Sequence, residues 1–506
     1  MTTLYVVLFA YFLTLFGIGF FASRRIKTLG DYFVGGKRLG YWVVAFSARA
    51  TGESAWLLLG LTGLGAMVGL SGLWVVAGEV LGVGFAWFYM AKPFKRESDA
   101  FDSITIPDYL VSKFDDGTED GARMTRLVRI LSAGALAIFV TIYVSAQIDA
   151  TGKAFESFLS WDYYTGILIG FGVVVVYTFS GGFVAVAWSD LFQGSLMLLG
   201  LVAVPLFAFI SIPDGQSLLE GLRSIDPGLV NLWGLGGFSL ENVLLIVSYA
   251  AIGIGFLGSP QVFVRFMSIR GEGEINKGRW VAIVFTLLTD LGAVFTGILG
   301  RYLLVGPGRD PEAVLSGAAE SVLPMLVEHL FPAVIVGIYI AAVLAAIMST
   351  IDSLLVVASS AVTRDFYQQI YHPTLSNESL TRRSRIVTLA MAVAALALAL
   401  TVSFLSPDRT IFWFVIFGWS GIAATFVPVM LLSLFWKEYT VRGVIASMIT
   451  GFFSIPLFKF AIPAIPEIGT YFELMGEMAP SVICALAAGV VFSRNKTKVR
   501  PAGLLF

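Results

Sequence analysis

Apolar runs of about 20 residues, each long enough to cross the hydrocarbon core of a bilayer, recur along this chain from end to end. Only 13 % of the 506 residues are charged, whereas a soluble domain carries about 25 %. Such a low charge density cannot cover a water-facing surface on a chain this long, so most of the exterior must face lipid. Since backbone groups in lipid must pair internally, runs of this length favour helices. The sequence therefore predicts an all-α integral membrane protein.

Charged, glycine and proline residues divide the apolar runs into about thirteen predicted membrane-spanning helices. Their predicted bounds are 4–22, 41–69, 71–91, 126–151, 163–180, 189–211, 241–260, 279–304, 323–361, 385–405, 411–436, 440–461 and 479–494. The run at 323–361 is longer than one crossing requires, and we expect a tilted helix with an extra turn there. The longest polar stretch, 92–125, is expected to be a loop with room for a short surface helix.

Lys and Arg residues predict the orientation of these helices, because segments on the cytoplasmic side are enriched in them. With the N-terminus outside, about 26 of them fall on the inner side and about 5 on the outer side. The inner set is Arg24, Arg25, Lys27, Lys37, Arg38, Lys92, Lys95, Arg96, Lys113, Arg123, Arg126, Arg129, Arg265, Arg270, Lys277, Arg279, Arg364, Arg382, Arg383, Arg385, Lys437, Arg442, Arg494, Lys496, Lys498 and Arg500. The outer set is Lys153, Arg223, Arg301, Arg309 and Arg409. We therefore expect an outside N-terminus, a cytoplasmic C-terminus and a first helix that is retained rather than removed as a signal peptide.

Residue types exclude several classes of function. A formal net charge of −1 argues against a nucleic-acid partner. The single cysteine, Cys484, excludes an internal disulfide framework and a multi-thiolate metal site. The two histidines, His329 and His372, cannot build a metal centre with one another and are expected to be structural. The chain carries no ATP-binding P-loop, so uphill transport would depend on an ion gradient or on a separate protein.

The second predicted helix carries polar and charged residues in its middle, at 47–56 (SARATGESAW). Ionisable groups at membrane depth are costly and usually functional. Gly52 weakens the helix here, and broken helices are where transporters expose backbone carbonyls to cations. The alternative to such a cation site is a simple kink in the helix, with a polar patch between helices. Arg49 and Glu53 are four residues apart and would pair within the membrane if the helix persists.

Hydroxyl groups cluster in the ninth predicted helix, at 346–353 (AIMSTIDS). Ser349 and Thr350 are adjacent and supply neutral oxygen ligands, which hard cations such as Na⁺ prefer. Serines in spanning helices also allow close packing, and that interpretation accounts for Ser359 and Ser360. It accounts less well for the run at 346–353, which favours a cation site.

A glycine turn on the inner side, 177–190 (YTFSGGFVAVAWSD), leads Asp190 into the next predicted helix. This carboxylate either lies on an ion path or only caps the helix. Glu79 and Asp290 are further acids within predicted helices, where each can face an aqueous vestibule. The sequence assigns no role to these two.

In these three clusters the chain resembles the sodium/solute symporter family (SSS), and within it the sodium/proline symporter branch. The resemblance extends over nearly the whole chain. Its further motifs are 31–40 (DYFVGGKRLG), 56–61 (WLLLGL), 106–110 (IPDYL) and 258–267 (GSPQVFVRFM). It implies a single LeuT-like transporter domain, in which two inverted five-helix repeats each begin with a broken helix. These repeats would cover 41–260 and 241–436, with peripheral helices at 4–22, 440–461 and 479–494.

The resemblance also implies a sodium site near the middle of the membrane. Carried over by position, the ligands are the carbonyls of Ala50, Glu53 and Ala346 with the hydroxyls of Ser349 and Thr350. Asp190 would lie on the inward exit path of the ion, or would form a second cation site with Asp352 and Ser353.

The solute pocket that the resemblance implies departs from the proline pattern. It maps to Ser54, Trp56, Tyr143, Ile252, Phe256 and Pro260. The proline branch has an aspartate important for sodium coupling where this chain has Gly52, followed by Glu53. It has a tryptophan and a tyrosine where this chain has Ile252 and Phe256, so two polar groups are lost. A different or bulkier solute than proline becomes plausible, and Glu53 either replaces the missing acid or couples protons.

These expectations describe a sodium-coupled symporter, not an enzyme, that carries a small organic solute, proline or another amino acid, by alternating access. Its expected partners are the solute, Na⁺ as coupling ion and the lipid bilayer; the oligomeric state is left open. The resemblance implies a bacterial-type inner (plasma) membrane. The alternatives are a sodium- or proton-coupled carrier of a carboxylate or vitamin, and a transporter-like membrane sensor.

Overall fold

Helices carry most of the backbone in the computed structural model, which describes residues 2–24, 28–213 and 215–494. The α-helices are α1 (Thr2–Ser23), α2 (Leu29–Val34), α3 (Tyr41–Gly52), α4 (Thr62–Val68), α5 (Leu73–Phe85), α6 (Ala91–Ala100), α7 (Ile106–Phe114), α8 (Glu119–Leu159), α9 (Tyr163–Ile210), α10 (Leu218–Ile225), α11 (Leu240–Ala251), α12 (Pro260–Ser268), α13 (Glu272–Gly300), α14 (Pro311–Leu315), α15 (Val322–Leu330), α16 (Ala333–Ser360), α17 (Asn377–Leu405), α18 (Ile411–Phe435), α19 (Val441–Pro456), α20 (Gly469–Met475) and α21 (Met478–Ser493). Short 3-10 or π-helical segments are Gly35–Lys37, Trp56–Leu61, Gly69–Gly72, Ala86–Met90, Pro227–Val230, Ile252–Leu257, Arg301–Val305, Gly317–Ala319, Ala361–Tyr371 and Leu457–Ala461. An isolated parallel bridge joins Leu39 and Ile269.

Within the described residues, ten helical segments are long and apolar enough to cross a membrane. There are eleven if α20 and α21, which are bent by 94°, form one span. The helical, membrane-spanning character that the sequence predicts is therefore confirmed, whereas the count of about thirteen crossings stays a prediction. The predicted orientation also rests partly on residues outside the described ranges, namely Arg25, Lys27, Lys496, Lys498 and Arg500.

Gly69 separates two of the predicted helices. The continuous apolar segment Trp56–Ala100 has 45 residues, which as a straight helix would be about 67 Å long, more than twice the hydrocarbon thickness. Gly69 interrupts it with a φ of +63°, and a Cβ atom there would lie 2.1 Å from the carbonyl oxygen of Leu229. Both the conformation and the close approach require glycine, so the chain turns between the predicted helices 41–69 and 71–91.

Two expectations about local structure are wrong. The run at 323–361 is not one tilted helix, because α15 ends at Leu330 and α16 begins at Ala333. Phe331 is extended (φ −126°, ψ 151°), since proline disfavours helical geometry in the residue before it, and Pro332 is the N-cap of α16. The stretch 92–125 is not mainly loop either: its first part continues as α6, and the short helix α7 packs inward with Tyr109 fully buried.

Two breaks in spanning helices lie against each other in the core. The first follows α3, where Glu53 leaves helical geometry (φ −90°, ψ 66°) before helix resumes at Trp56. The second lies at Gly258 (φ −168°, ψ −2°), before α12. A Cβ atom on Gly52 would lie 2.6 Å from Cε1 of Phe256, so the two breaks are in contact. These are the first helices of the two predicted repeats; the inverted symmetry of the repeats stays a prediction.

Candidate functional site

The end of α3 meets two hydroxyls of α16. The carbonyls of a helix's last turn lack partners within the helix, and here α16 supplies them. Ser349 Oγ donates to the carbonyl of Ala50 at 2.9 Å, and Thr350 Oγ1 donates to the carbonyl of Thr51 at 3.1 Å. Each hydroxyl also lies 3.1 Å from the carbonyl oxygen of Ala346. Four of the five predicted sodium ligands therefore form one buried group of oxygen atoms. The fifth, the backbone carbonyl of Glu53, stays a prediction, and the side chain of Glu53 pairs with Arg49.

Beside these oxygens, Arg265 joins the predicted exit-path residues. Its Nη2 atom lies 3.1 Å from Asp190 Oδ2 and 2.8 Å from Thr51 Oγ1, and it also donates to Ser353 Oγ. Ser47 Oγ donates to Asp190 Oδ2 at 2.5 Å. Both charged groups are fully buried. Counting Arg265 among the basic residues of the inner loops was therefore wrong, because it lies on α12 and balances the charge of a buried carboxylate.

Asp352 lies next to Ser353 but takes no part in these hydrogen bonds. Its side chain is buried on α16, where the carboxylate interacts with the adjacent Ser353 and with the charge of Arg265. It makes no direct ion pair among the described residues, and a buried charge without one is costly, so this group is a candidate for cation contact.

Side chains from α8 hold the break after α3 open. Gln147 Nε2 donates to Ser54 Oγ at 3.0 Å, and Gln147 Oε1 accepts from the backbone N–H of Ala55 at 3.1 Å. Tyr143, one helical turn earlier, has its hydroxyl 3.4 Å from Ser54 Oγ. The indole of Trp56 donates to the carbonyl of Gly52 at 3.0 Å. Backbone groups that the break leaves unpaired are thus satisfied, as burial requires.

Aromatic rings surround this region, with Trp419 of α18 at their centre. The Trp419 ring lies 5.0 Å from that of Phe256 and 6.3 Å from that of Tyr143. Its indole donates to the carbonyl of Ile252 at 3.0 Å. Pro260 is buried as the first residue of α12, on the far side of the second break. The structure therefore brings Ser54, Tyr143, Phe256 and the Ile252 backbone together.

Sequence reasoning missed Gln147 and Trp419. Gln147 had a usable signal, because an uncharged polar residue four positions after Tyr143 lies on the same helix face. Trp419 had no comparable signal, since an indole in an apolar helix is usually packing.

A further group of charges lies behind the solute region. Arg49 pairs with Glu53, as predicted, and its Nη2 atom also lies 2.9 Å from Glu79 Oε2. The guanidinium carbon lies 4.4 Å from the centre of the Phe256 ring. Asp290 of α13 completes the group, since one oxygen from each of the three carboxylates lies within 4.8 Å of the others.

The contact between Gly52 and Phe256 predicts a large effect from one methyl group. We expect Gly52→Ala to destabilise the fold by about 1–3 kcal/mol, because the added carbon overlaps the ring. Gly134, on α8, is exposed and has open space at its Cβ position, so Gly134→Ala is the control and should be neutral or stabilising by up to about 1 kcal/mol. The free energy of unfolding of the two purified variants, compared with that of the wild type, measures both effects. If Phe256→Leu does not relieve the loss in the Gly52→Ala background, the steric explanation is wrong.

On the predicted outer side, ion pairs connect α8 to the segment before α18 and to the segment before α15. Arg409 pairs with Asp149, and Lys153 Nζ lies 3.1 Å from Glu320 Oε2. Glu320 Oε1 accepts from the backbone N–H of Phe412 at 3.1 Å. A cavity of about 150 Å³ is lined in part by Lys153 and Glu320.

Burial raises the pKa of the Glu320 carboxyl above its ordinary value, although Lys153 acts in the opposite direction. The folded state therefore holds this proton more tightly than the unfolded state, and stability falls as pH rises through the interval between the two pKa values. We expect the wild type to gain stability relative to Glu320→Gln as the pH is lowered through this interval. Glu312→Gln, at an exposed position of α14, is the control. If lowering the pH stabilises the wild type equally relative to Glu320→Gln and relative to Glu312→Gln, the Glu320 carboxyl is not the group responsible.

Ion-coupled secondary transporters place cation and substrate sites at breaks of this kind, near the middle of the membrane, and both breaks here are buried among polar groups. The chain belongs to the sodium:solute symporter family, whose model matches residues 32–451. It is therefore a sodium-coupled symporter of a small solute, a multi-pass membrane transporter and not an enzyme.

Curated relatives agree with this assignment, and a solved structure has the same fold. The chain is 39 % identical over 438 residues to the high-affinity proline transporter PutP of Bacillus subtilis, covering 86 % of this chain and 87 % of that one. It is 34 % identical over 481 residues to the sodium/proline symporter of Escherichia coli, covering 94 % and 90 %. The structure of a Na⁺-coupled sialic acid symporter superposes with a TM-score of 0.79 at 18 % identity, covering 99 % of both chains. The LeuT-like fold is thereby confirmed.

Proposed function

We propose that this symporter carries a compact amino acid, of the size of proline, together with Na⁺ by alternating access. The observation that carries the proposal is the contact of Ser349 and Thr350 with the broken end of α3. It joins two helices through oxygen atoms that a cation can share, at the site where the family resemblance puts sodium. The relatives named as proline transporters support the class of solute.

In the proposed ion site, Na⁺ lies between the oxygen atoms that the hydrogen bonds of the two hydroxyls now join. Ser349 and Thr350 turn their O–H groups away, and their oxygens bind the ion together with the carbonyls of Ala50 and Ala346. The backbone carbonyl of Glu53, next along the break, supplies the fifth oxygen. Bound Na⁺ thereby fixes α3 against α16 and completes the solute region, so that ion and solute each raise the affinity of the other.

In the proposed solute site, the two breaks offer opposite ends of helix dipoles. The N-terminus of α12 at Pro260 favours the carboxylate of the solute, and the carbonyl end of α3 favours its ammonium group. Ser54 and Tyr143 supply hydroxyls at the same place. Phe256, with Trp56 and Ile252 on either side of the breaks, limits the solute to a compact apolar body.

For the exit path, we favour a route past Asp190 and Ser353 over a second cation site. Arg265 already supplies a positive charge to Asp190, which leaves less attraction for a second ion there. Asp352 feels the same guanidinium but makes no direct ion pair with it, and would meet the ion first. We also propose residence in the plasma membrane, with the N-terminus outside and the C-terminus in the cytoplasm, as the distribution of Lys and Arg predicts.

Transport by purified protein in proteoliposomes tests the proposal. With an inward Na⁺ gradient at clamped pH, we expect uptake of labelled proline or another compact amino acid, and none when choline replaces Na⁺. Thermal-shift screening of amino acids against organic acids, with and without Na⁺, identifies the solute independently. Stabilisation by organic acids alone would favour a carboxylate carrier, and uptake that a pH gradient drives without Na⁺ would contradict sodium coupling.

A further inference from the structure

A groove with a volume of about 400 Å³ lies between α1 and α9. It has this room partly because α1 carries glycine at position 17, where an added Cβ atom would have no neighbour within 4 Å. Near the C-terminal end of α1, Ala22 clusters with Val184 and Ala185, just after Gly182 interrupts α9 with a φ of +54°. The described residues that line the groove are Thr14, Gly17, Ile18, Phe21, Ala22 and Trp188. Its volume is in the range of ligand-binding pockets, about 300–1,000 Å³.

The lining of the groove is apolar and opens towards the lipid. Phe21 and Trp188 are exposed, and both lie in segments that are long and apolar enough to cross a membrane. Among the described lining residues Thr14 alone has a hydroxyl, and its Oγ1 donates to the carbonyl of Ala10 at 2.8 Å. The hydrocarbon core of a bilayer supplies no water to fill such a space, and apolar cavities stay dry. A hydrocarbon chain therefore suits the groove.

Two side chains at the groove suit the headgroup of a lipid. Arg24, directly after α1, is exposed and makes no ion pair with a described residue; its guanidinium carbon lies 4.3 Å from the centre of the Phe20 ring. A ring contact of this kind does not neutralise the charge, so the guanidinium can bind an anion. The indole N–H of Trp188 has no acceptor among the described residues, and tryptophan is typical of the membrane interface. Basic residues at the cytoplasmic end of spanning helices attract anionic headgroups.

Size and chemistry favour a lipid over other occupants. One turn of helix, about 5.4 Å long and about 10 Å across, already has a volume of about 400 Å³. A helix of a second copy or of a partner protein would therefore find room for a single turn. An amino-acid solute would need partners for both of its charges, and the described lining carries no charged group. An acyl chain is thinner and needs no polar partner.

We propose that this groove binds one acyl chain of an anionic phospholipid, whose phosphate lies at Arg24. The lipid comes from the leaflet at the C-terminal end of α1, which the distribution of Lys and Arg predicts to be the cytoplasmic one. Asp190 is two residues after Trp188, about 200° around α9 and so on its opposite face. The bound chain therefore packs on the same part of α9 that presents Asp190 to Arg265, and stabilises it from the lipid side.

Native mass spectrometry of the purified full-length chain tests the headgroup contact, with phosphatidylglycerol or phosphatidylcholine of identical acyl chains as the added lipid. We expect the first phosphatidylglycerol to bind about fivefold more tightly than phosphatidylcholine, the effect of one arginine near an anionic headgroup. Arg24→Gln should remove this preference. Arg383→Gln is the matched control and should keep it, since Arg383 is also exposed, with its guanidinium carbon 4.9 Å from the centre of the Tyr367 ring.

Gly17→Leu tests the acyl-chain contact separately. Its side chain fills the open space, and the loss of contact with about two methylene groups should weaken binding of both lipids about tenfold. Gly134→Leu is the control and should bind as the wild type does, because Gly134 is an exposed glycine of α8 with an equally open Cβ position. Equal thermal unfolding midpoints of the two leucine variants exclude misfolding, and Arg24→Gln, at an exposed position, is an independent test.

Three results would overturn the inference. The first is a Gly17→Leu variant that binds both lipids as tightly as the wild type. The second is a wild type that binds phosphatidylglycerol and phosphatidylcholine equally. The third is a dimeric wild type that Gly17→Leu converts to monomers without a change in lipid binding, which would assign the groove to contact between two copies. None of these results depends on the solute or on the proposed sodium site, so the proposed function is tested separately.

Discussion

The double variant Ser349→Ala/Thr350→Ala is expected to need far more Na⁺ for half-maximal uptake than the wild type. Each hydroxyl oxygen lost from a cation removes about 1.5 kcal/mol, as for a hydrogen bond to a charged group. The two together weaken sodium binding on the order of 100-fold. Solute affinity measured at saturating Na⁺ should change much less, because neither hydroxyl is proposed to contact the solute.

The matched control for this prediction is Ser359→Ala/Ser360→Ala. These serines are buried two to three turns further along the same helix, where they donate to carbonyls of that helix, Val356 at 3.2 Å and Val357 at 2.7 Å. They should leave the sodium dependence of uptake unchanged. If the variant at 349 and 350 is equally unaffected, the proposed ion site is wrong.

Replacing Arg265 by methionine is expected to cause the largest loss of stability among the variants considered. It leaves the Asp190 carboxylate buried without its cation, which costs about 3–5 kcal/mol. Arg265→Met/Asp190→Asn should recover most of that loss, because the uncompensated charge is then absent. The free energy of unfolding of the purified proteins measures both effects.

Arg270→Met is the control for the Arg265 variant. Arg270 follows α12 and pairs with Glu274 at 3.2 Å, but its side chain is 64 % exposed. A surface pair of this kind contributes at most about 1 kcal/mol. Equal losses of stability in Arg265→Met and Arg270→Met would show that the buried pair stabilises the fold no more than a surface pair does. A double variant no more stable than Arg265→Met alone would show that lost packing, rather than charge, causes the effect.

The sequence was sufficient to predict features that depend on residues close together in the chain. The break after α3 follows from Gly52 within a polar run, and the paired hydroxyls of α16 are adjacent in the chain. The separation of α15 and α16 at Phe331–Pro332 was missed because the apolar run continues through these residues, although the proline could have indicated it.

What the sequence could not supply are contacts between distant elements. The partner of Arg265 lies 75 residues away in the chain, so a basic residue near a predicted helix end was taken for a loop residue. Glu79 and Asp290 were noted separately as acids without a role. Only the packing of α5 against α13 brings them together with Glu53, and that packing depends on the whole helix arrangement.

The pairing of Arg265 with Asp190 has a consequence for the unloaded half of the transport cycle. After cargo has left, a carrier must reorient empty, and a bare carboxylate moving through an apolar interior would raise that barrier. Asp190 has a tethered counter-charge in this conformation, so a return step that keeps the pair carries no unneutralised acid at this position. In such a step the guanidinium substitutes for the departed ion.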